Sequence, residues 1–255
     1  MTSRQRFDVW EVGWIAGFVL LAGFGAGRYF VLNYHEPFVS PRETGWLREQ
    51  YGPGKWSENA EEWIVRDFFR DERGGVFVDV GSADARTGSN TYYLESQLGW
   101  SGIAVDALEE YAPSYERDRP RTKFFALFVG ERSDEEATLY VSAMYEQYSS
   151  ANREFTARYR PDDAVARQVP TITLDALLTR AGLSFVDYLS MDIELSEPPA
   201  LAGFDLVRWR PRLVCVEAHA ETRQAILDYF TSRRYAVVGK YLRLDRANLW
   251  FAPLD

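Results

Sequence analysis

Asp192 and Glu194 stand two residues apart at the end of one apolar run, and Glu217 and His219 repeat that spacing at the end of another. Alternate residues of a strand share a face, so each pair points one way if its strand continues. If the two runs are neighbours in a sheet, four oxygen and nitrogen donors converge on one edge. That group suits Mg²⁺ or Mn²⁺, or a general base with an orienting carboxylate. Asp192, Glu194, Glu217 and His219 are therefore the candidate catalytic and metal-ligating residues. The competing role is structural: capping helices, or pairing with Arg208, Arg210 or Arg212. His35, the other histidine, lies in a linker-like stretch and reads as solvated.

A second constellation lies upstream. Asp79-Val80-Gly81-Ser82 closes the first apolar run of the folded part, and Asp106 closes the next. A small residue at such a turn lets the backbone approach a ligand. An acid at the end of the neighbouring strand can accept both ribose hydroxyls of an adenosine. The glycine spacing of a dinucleotide fingerprint is absent, because Ala83 and Ala85 occupy the turn. A nucleoside without a diphosphate fits this loop better than NAD.

These residues need a scaffold, and the hydrophobic pattern supplies one. Apolar runs at 76–80, 102–105, 123–129, 138–141, 188–193 and 213–216 read as strands, most of them buried on both faces. Helical periodicity appears at 46–51, 59–70, 89–98, 173–180, 201–207 and 221–234, with Ser89 and Thr173 as caps. Residues 142–168 are polar and aromatic without clear period, and read as a long excursion over the strand ends. Runs at 235–244 and 248–252 form a closing pair around a turn at 245–247. Alternating strands and helices imply right-handed crossovers and a parallel sheet, and the tight closing pair must be antiparallel. The expected fold is α/β: a Rossmann-like, doubly wound, mostly parallel seven-stranded sheet with an antiparallel C-terminal hairpin.

The chain has 255 residues, 46% of them hydrophobic, enough for one α/β domain with a sizeable core plus an appendage. Its net charge of −9 repels phosphate backbones and argues against a nucleic-acid partner. The single cysteine, Cys215, sits in an apolar run and reads as inert core. The appendage is N-terminal. Residues 9–32 carry only Glu11 and Arg28 as charges, near the two ends. As a helix they span about 36 Å, against a hydrocarbon core of roughly 30 Å. Trp10, Trp14, Tyr29 and Tyr34 suit the two interfaces, and Gly13, Gly17, Gly23 and Gly27 suit close approach of another membrane helix. The expected organisation is a single-pass transmembrane or membrane-anchoring helix at 9–32, a linker at 33–55 and the folded domain at 56–255. A domain that uses a cytosolic cofactor would face the cytoplasm.

Several strings of the chain together resemble the FkbM family of methyltransferases. They are Val76-Phe-Val-Asp-Val-Gly81, Ser89-Asn-Thr-Tyr-Tyr-Leu-Glu95, Leu98-Gly-Trp-Ser-Gly-Ile103, Thr173-Leu-Asp-Ala-Leu-Leu178 and Leu189-Ser-Met-Asp-Ile-Glu194. The similarity runs from about Tyr51 to Phe251. It implies a class I methyltransferase fold, S-adenosyl-L-methionine as cofactor, and methylation of hydroxyl oxygens on sugars, lipids or natural products. It places Asp79 and Gly81 in the cofactor motif and makes Asp106 the ribose-binding acid. Ser89, Asn90 and Glu95 fall in the matching helix, and Asp192 and Glu194 in the fourth-strand motif. The cofactor-binding candidates are Asp79, Gly81, Ser82, Asn90 and Asp106. Three departures stand out. The family's usual Gly-Ala-Asn-Asp-Gly is here Gly81-Ser-Ala-Asp-Ala85, its usual Gly after Glu194 is Leu195, and its usual Glu-Pro after the second strand is Asp106-Ala107.

Two function classes follow. One is a membrane-anchored O-methyltransferase acting on a hydrophobic or lipid-linked hydroxyl acceptor, the anchor raising the local concentration of a bilayer-confined substrate. The other is an inactive methyltransferase-like accessory subunit of a larger membrane protein complex, in which Ala85 and Leu195 crowd the site. An open or a filled pocket between Gly81, Asp106 and Asp192 discriminates them.

Overall fold

The computed structural model describes residues 44–142, 146–159 and 164–254. The expected membrane helix at 9–32 and most of the linker lie outside these residues. Among the described residues no helix is long and apolar enough to cross a membrane.

The described part opens with helices α1 (Gly45–Tyr51) and α2 (Glu61–Phe69), then strand β1 (Val76–Val80), α3 (Tyr92–Leu98) and β2 (Ser101–Asp106). There follow α4 (Ala112–Asp118), β3 (Thr122–Ala126), β4 (Phe128–Val129), β5 (Glu136–Ser142), α5 (Arg153–Tyr159) and β6 (Ala164–Ile172). The second half comprises α6 (Leu174–Ala181), β7 (Tyr188–Met191), α7 (Glu197–Ala202), α8 (Leu206–Trp209) and β8 (Leu213–Glu217). It closes with α9 (Arg223–Ser232), β9 (Tyr235–Val237) and β10 (Asn248–Pro253).

Seven strands form the main sheet in the order β3-β2-β1-β7-β8-β10-β9. The first five pair in parallel, and β10 runs antiparallel to both β8 and β9. The central strands are buried on both faces, as their largely apolar runs without alternation require. On one face Phe77, Tyr188 and Trp250 pack with Trp63, Ile64 and Trp100. Cys215 is buried in the same core, as expected.

Four expectations need correction. The run at 123–129 is two strands: β3 ends at Ala126 and β4 joins a separate three-stranded sheet of order β4-β6-β5. The break is at Leu127, whose N–H bonds the Asp106 carbonyl at 2.9 Å. The excursion at 142–168 holds α5 and most of the nine-residue β6, which pairs antiparallel along the whole of β5. Residues 165–168 are all exposed, so no alternation betrays this strand; backbone pairing holds it. The helix expected at 201–207 is two short helices, α7 and α8, separated at 203–205. The closing pair is not a tight hairpin. Its strands meet only through Val237 to Tyr235 against Phe251 to Pro253, and the connection carries Tyr241 and Leu244 inward onto Trp250. Asp245 in the supposed turn is buried, accepting from Trp250 Nε1 at 2.8 Å and Asn248 Nδ2 at 2.9 Å.

Candidate active site

The chain lays β2 and β3 on one flank of β1, then returns to place β7 on the other. A crevice opens at such a reversal, beyond the carboxyl ends of the strands. Gly81 stands there with φ +77°, and a Cβ on it would lie 1.7 Å from the Asp192 carbonyl oxygen and 2.9 Å from Ile193 Cγ2. No side chain fits. The Gly81 and Ser82 N–H groups bond the Val105 carbonyl at 2.9 and 3.2 Å, tying the turn to β2.

Asp106 is bound into the same turn. Its Oδ2 accepts from Ala83 N–H at 3.0 Å and its Oδ1 from Leu108 N–H at 2.9 Å. Each carboxylate oxygen keeps a lone pair for a further donor. Burial raises this carboxyl to about 6 and the backbone N–H bonds restrain the rise, so it is ionised at neutral pH. Asp79 is also raised to about 6 by burial, moderated by a 2.7 Å bond from Thr91 Oγ1 and by Arg119. Asn90 Nδ2 donates to Ser190 Oγ at 3.1 Å, linking the start of α3 to β7. Ser89 is not the N-cap expected of it: α3 begins at Tyr92 behind Thr91, and the Ser89 Oγ accepts from Thr91 and Tyr92 N–H in the turn before the helix.

A cavity of about 420 Å³ fills the crevice. Its walls include Asp79, Gly81, Ser82, Asn90 and Asp106 at one end and Asp192, Glu194 and Glu217 at the other. Its volume lies within the range of small-molecule sites, roughly 300–1,000 Å³. Among the described residues nine carboxylate side chains and no Lys or Arg line it, which favours a cationic or neutral ligand over an anionic one. The Ser82 hydroxyl is buried there with no hydrogen-bond partner.

Glu194, Glu217 and His219 come together, but not by continuing strands. β7 ends at Met191, and the chain turns through left-handed conformations at Glu194 (φ 51°) and Leu195 (φ 73°). Glu194 therefore does not share a strand face with Asp192. It reaches His219 by the turn: His219 Nε2 lies 3.1 Å from Glu194 Oε2 and 3.0 Å from Glu217 Oε2. Hydrogen bonds to Glu194 and then Glu217 raise the imidazole to about 10. Burial raises both glutamates, each moderated by His219. Asp192 stands beside Glu217 but outside the donor trio. Asp192 is exposed where it lines the cavity, and the protein crowded around it, with Glu217 beside it, raises its carboxyl above the usual range. The smaller sheet's segment covers this end: Ser150 Oγ donates to the Glu194 carbonyl at 2.5 Å, and the Phe155 ring meets His219 edge-on at 5.1 Å.

Some lining residues had no signal in the sequence. Glu61 opens α2, where an acid ordinarily complements the helix dipole. Here it is 4% exposed and accepts from Asn248 Nδ2 at 3.2 Å and Asn59 Nδ2 at 3.1 Å. Tyr111, Phe128 and Glu146 reach the cavity through the tertiary fold alone. The two departures nearest the crevice do not block it. Ala85 turns away into a cluster with Ala104 and Tyr115, and Leu195 is not among the lining residues.

A parallel sheet of this order, with a glycine turn on its first strand and an acid closing the second, defines a fold of the S-adenosylmethionine-dependent methyltransferase class. The chain belongs to the methyltransferase FkbM domain family, whose model matches residues 79–237. No curated protein sequence matches it. Solved structures similar to it include a TehB-like SAM-dependent methyltransferase from Corynebacterium glutamicum, with 12% identity over 84% of this chain and 97% of that one, TM-score 0.43. Others are an O-methyltransferase from Bacillus cereus in complex with SAH (11% identity, 92% and 100% covered, TM-score 0.42) and 1,6-didemethyltoxoflavin-N1-methyltransferase from Burkholderia thailandensis (15%, 87% and 94%, TM-score 0.37). These likenesses are distant, and the assignment rests on the family match and the sheet order.

Proposed function

We propose that the protein is an S-adenosyl-L-methionine-dependent O-methyltransferase acting on a hydroxyl of a hydrophobic or lipid-linked acceptor. The observation that carries this reading is the open cavity joining Gly81 and Asp106 to Glu217. Its features fit the cofactor: a backbone cradle that a Cβ would fill, an ionised acid for ribose hydroxyls, and an unpartnered Ser82 hydroxyl. The acidic lining suits a ligand bearing a sulfonium and an ammonium. When bound, S-adenosylmethionine supplies a methyl group activated by positive sulfur. Asp106 accepts from the ribose, and the Gly81–Ala83 backbone approaches the adenosyl group. At the far end Asp192 or Glu217 takes the acceptor's hydroxyl proton, with Glu194 and His219 orienting it. The same end offers donors for Mg²⁺ or Mn²⁺.

Calorimetry on the full chain tests the reading. S-adenosylmethionine and S-adenosylhomocysteine bind the wild type, and Asp106→Ala weakens both. A folded protein that gives no heat with millimolar cofactor removes the proposal.

The organisation proposed with it is an anchor at 9–32, a linker at 33–55 and a domain at 56–255 facing the cytoplasm. The near-absence of charge in 9–32 supports a single-pass helix in contact with membrane lipid. Extraction with alkaline carbonate tests it: the chain stays with the membrane pellet, and release into the wash would count against the anchor. The accessory-subunit alternative needs a site closed by Ala85 and Leu195, and neither lines the cavity.

A further inference from the structure

We propose that Glu194, Glu217 and His219 form a binding site for one divalent first-row cation, best matched by Mn²⁺, at the acceptor end of the cavity. Binding itself stands on the geometry; the cation's role of holding an acceptor oxygen rests on the methyltransferase reading.

The three donor atoms lie within 4.8 Å of one another. Adjacent ligand atoms on an octahedral ion with bonds of about 2.1 Å are about 3.0 Å apart, because the separation is √2 times the bond length. The observed separations from His219 Nε2 are 3.1 Å and 3.0 Å. Hydrogen bonds explain this trio incompletely. One ring nitrogen carries at most one proton, so Nε2 cannot donate fully to both carboxylates. Glu217 Oε2 is accordingly left buried without a well-aligned hydrogen bond, although the nitrogen is 3.0 Å away.

A second buried oxygen points the same way. Glu197 is wholly buried; its Oε1 accepts from Ile193 N–H at 3.1 Å, and its Oε2 has no partner. The donor set selects among cations. Two carboxylates suit Mg²⁺, Ca²⁺ and Mn²⁺, whereas an imidazole favours transition metals, so a mixed set favours Mn²⁺ over Mg²⁺. Phe155 on the ring and Ser150 on the Glu194 carbonyl hold two of the ligands in place. Glu194 and Glu217 both line the cavity, so a cation held between them would stand within reach of an acceptor hydroxyl.

The test is titration of chelator-treated full chain with Mn²⁺, followed by electron paramagnetic resonance and calorimetry without S-adenosylmethionine. The expected result is one Mn²⁺ per chain, competed more weakly by Mg²⁺. Glu217→Gln and His219→Gln each weaken it at least about tenfold, with circular dichroism verifying the fold. Asp106→Ala keeps Mn²⁺ and loses the cofactor, whereas Glu217→Gln keeps the cofactor and loses Mn²⁺; failure of one reading is thereby distinguished from failure of the other. Absence of saturable Mn²⁺ binding, or binding indifferent to both variants, overturns the site and leaves a histidine held between two glutamates by hydrogen bonds.

Discussion

Arg119 Nε lies 2.7 Å from Glu95 Oε2, and both side chains are almost completely shut off from solvent. The same guanidinium donates to the Ala85 carbonyl at 3.0 Å and to Thr91 Oγ1 at 3.0 Å, and Thr91 in turn bonds Asp79. The rings of Phe77, Tyr92 and Tyr115 surround it. One buried pair thus fixes the turn after β1, the start of α3 and the approach to β3. Removing one partner leaves the other charge buried and uncompensated, which costs about 3–5 kcal/mol. Glu95→Ala and Arg119→Ala should each lower unfolding free energy by that order in urea titrations, and the double variant by clearly less than their sum. A loss below about 1 kcal/mol in either single variant would show that water replaces the missing partner.

Gly81 makes a sharper claim about the site. At φ +77°, with a backbone carbonyl 1.7 Å from where a Cβ would sit, alanine forces the β1 and β7 loops apart. Gly81→Ala should weaken S-adenosylhomocysteine at least about tenfold, the loss expected when positioning groups shift by a fraction of an ångström. Gly52→Ala is the control, because Gly52 has φ +89° but nothing within 4 Å. It shares the positive φ without the close contact and should leave affinity unchanged. Equal effects from the two variants would mean that strain, not the crevice, decides.

The pH dependence has a definite sign. Asp79 and Asp106 titrate near 6 in the folded chain against an ordinary 3.8, and Glu197 near 7 against 4.5, all through burial. A carboxyl raised on folding binds its proton more tightly in the native state. Its contribution is complete below the unfolded value and disappears as pH climbs through the folded one. These groups therefore make the chain more stable at pH 5 than at pH 8, so thermal melting should shift downward across that interval. Cofactor affinity should move the opposite way, since Asp106 accepts ribose hydroxyls best when ionised. It should rise from pH 5 to 7.5, and Asp106→Asn should remove most of the rise. A flat affinity profile in the wild type would take Asp106 out of the cofactor site.

Much of this could be read from residue order because it depends on local pattern. The runs forming β1, β2, β7 and β8 are mostly apolar without alternation, as a strand buried on both faces requires. Gly81 and Asp106 follow from position in a parallel sheet. β6 was illegible because Val165 to Gln168 face solvent and its support is backbone pairing with β5. Glu61 was illegible because burial of an acid at a helix start depends on Asn248, 187 residues away. The meeting of Glu194 with His219 was anticipated for an incorrect reason. Spacing suggested a shared strand face, whereas a left-handed turn brings them together.

Leu195 and Ala85, where the resemblance leads one to expect glycine, make a final test, because each can be changed singly. Leu195 holds φ +73°, a conformation that costs an L-residue roughly 1–2 kcal/mol and a glycine almost nothing. Since its side chain does not line the cavity, Leu195→Gly should leave S-adenosylhomocysteine affinity unchanged and hold or improve stability. Ala85 differs. It is 0% exposed and packs on Ala104 and Tyr115, so Ala85→Gly removes a buried methyl and frees the unfolded backbone. The expected loss is about 1 kcal/mol, again with affinity unchanged. If either reversal tightened the cofactor tenfold or more, the side chain it removes would be obstructing the site, and the accessory-subunit reading would gain what the enzyme reading lost.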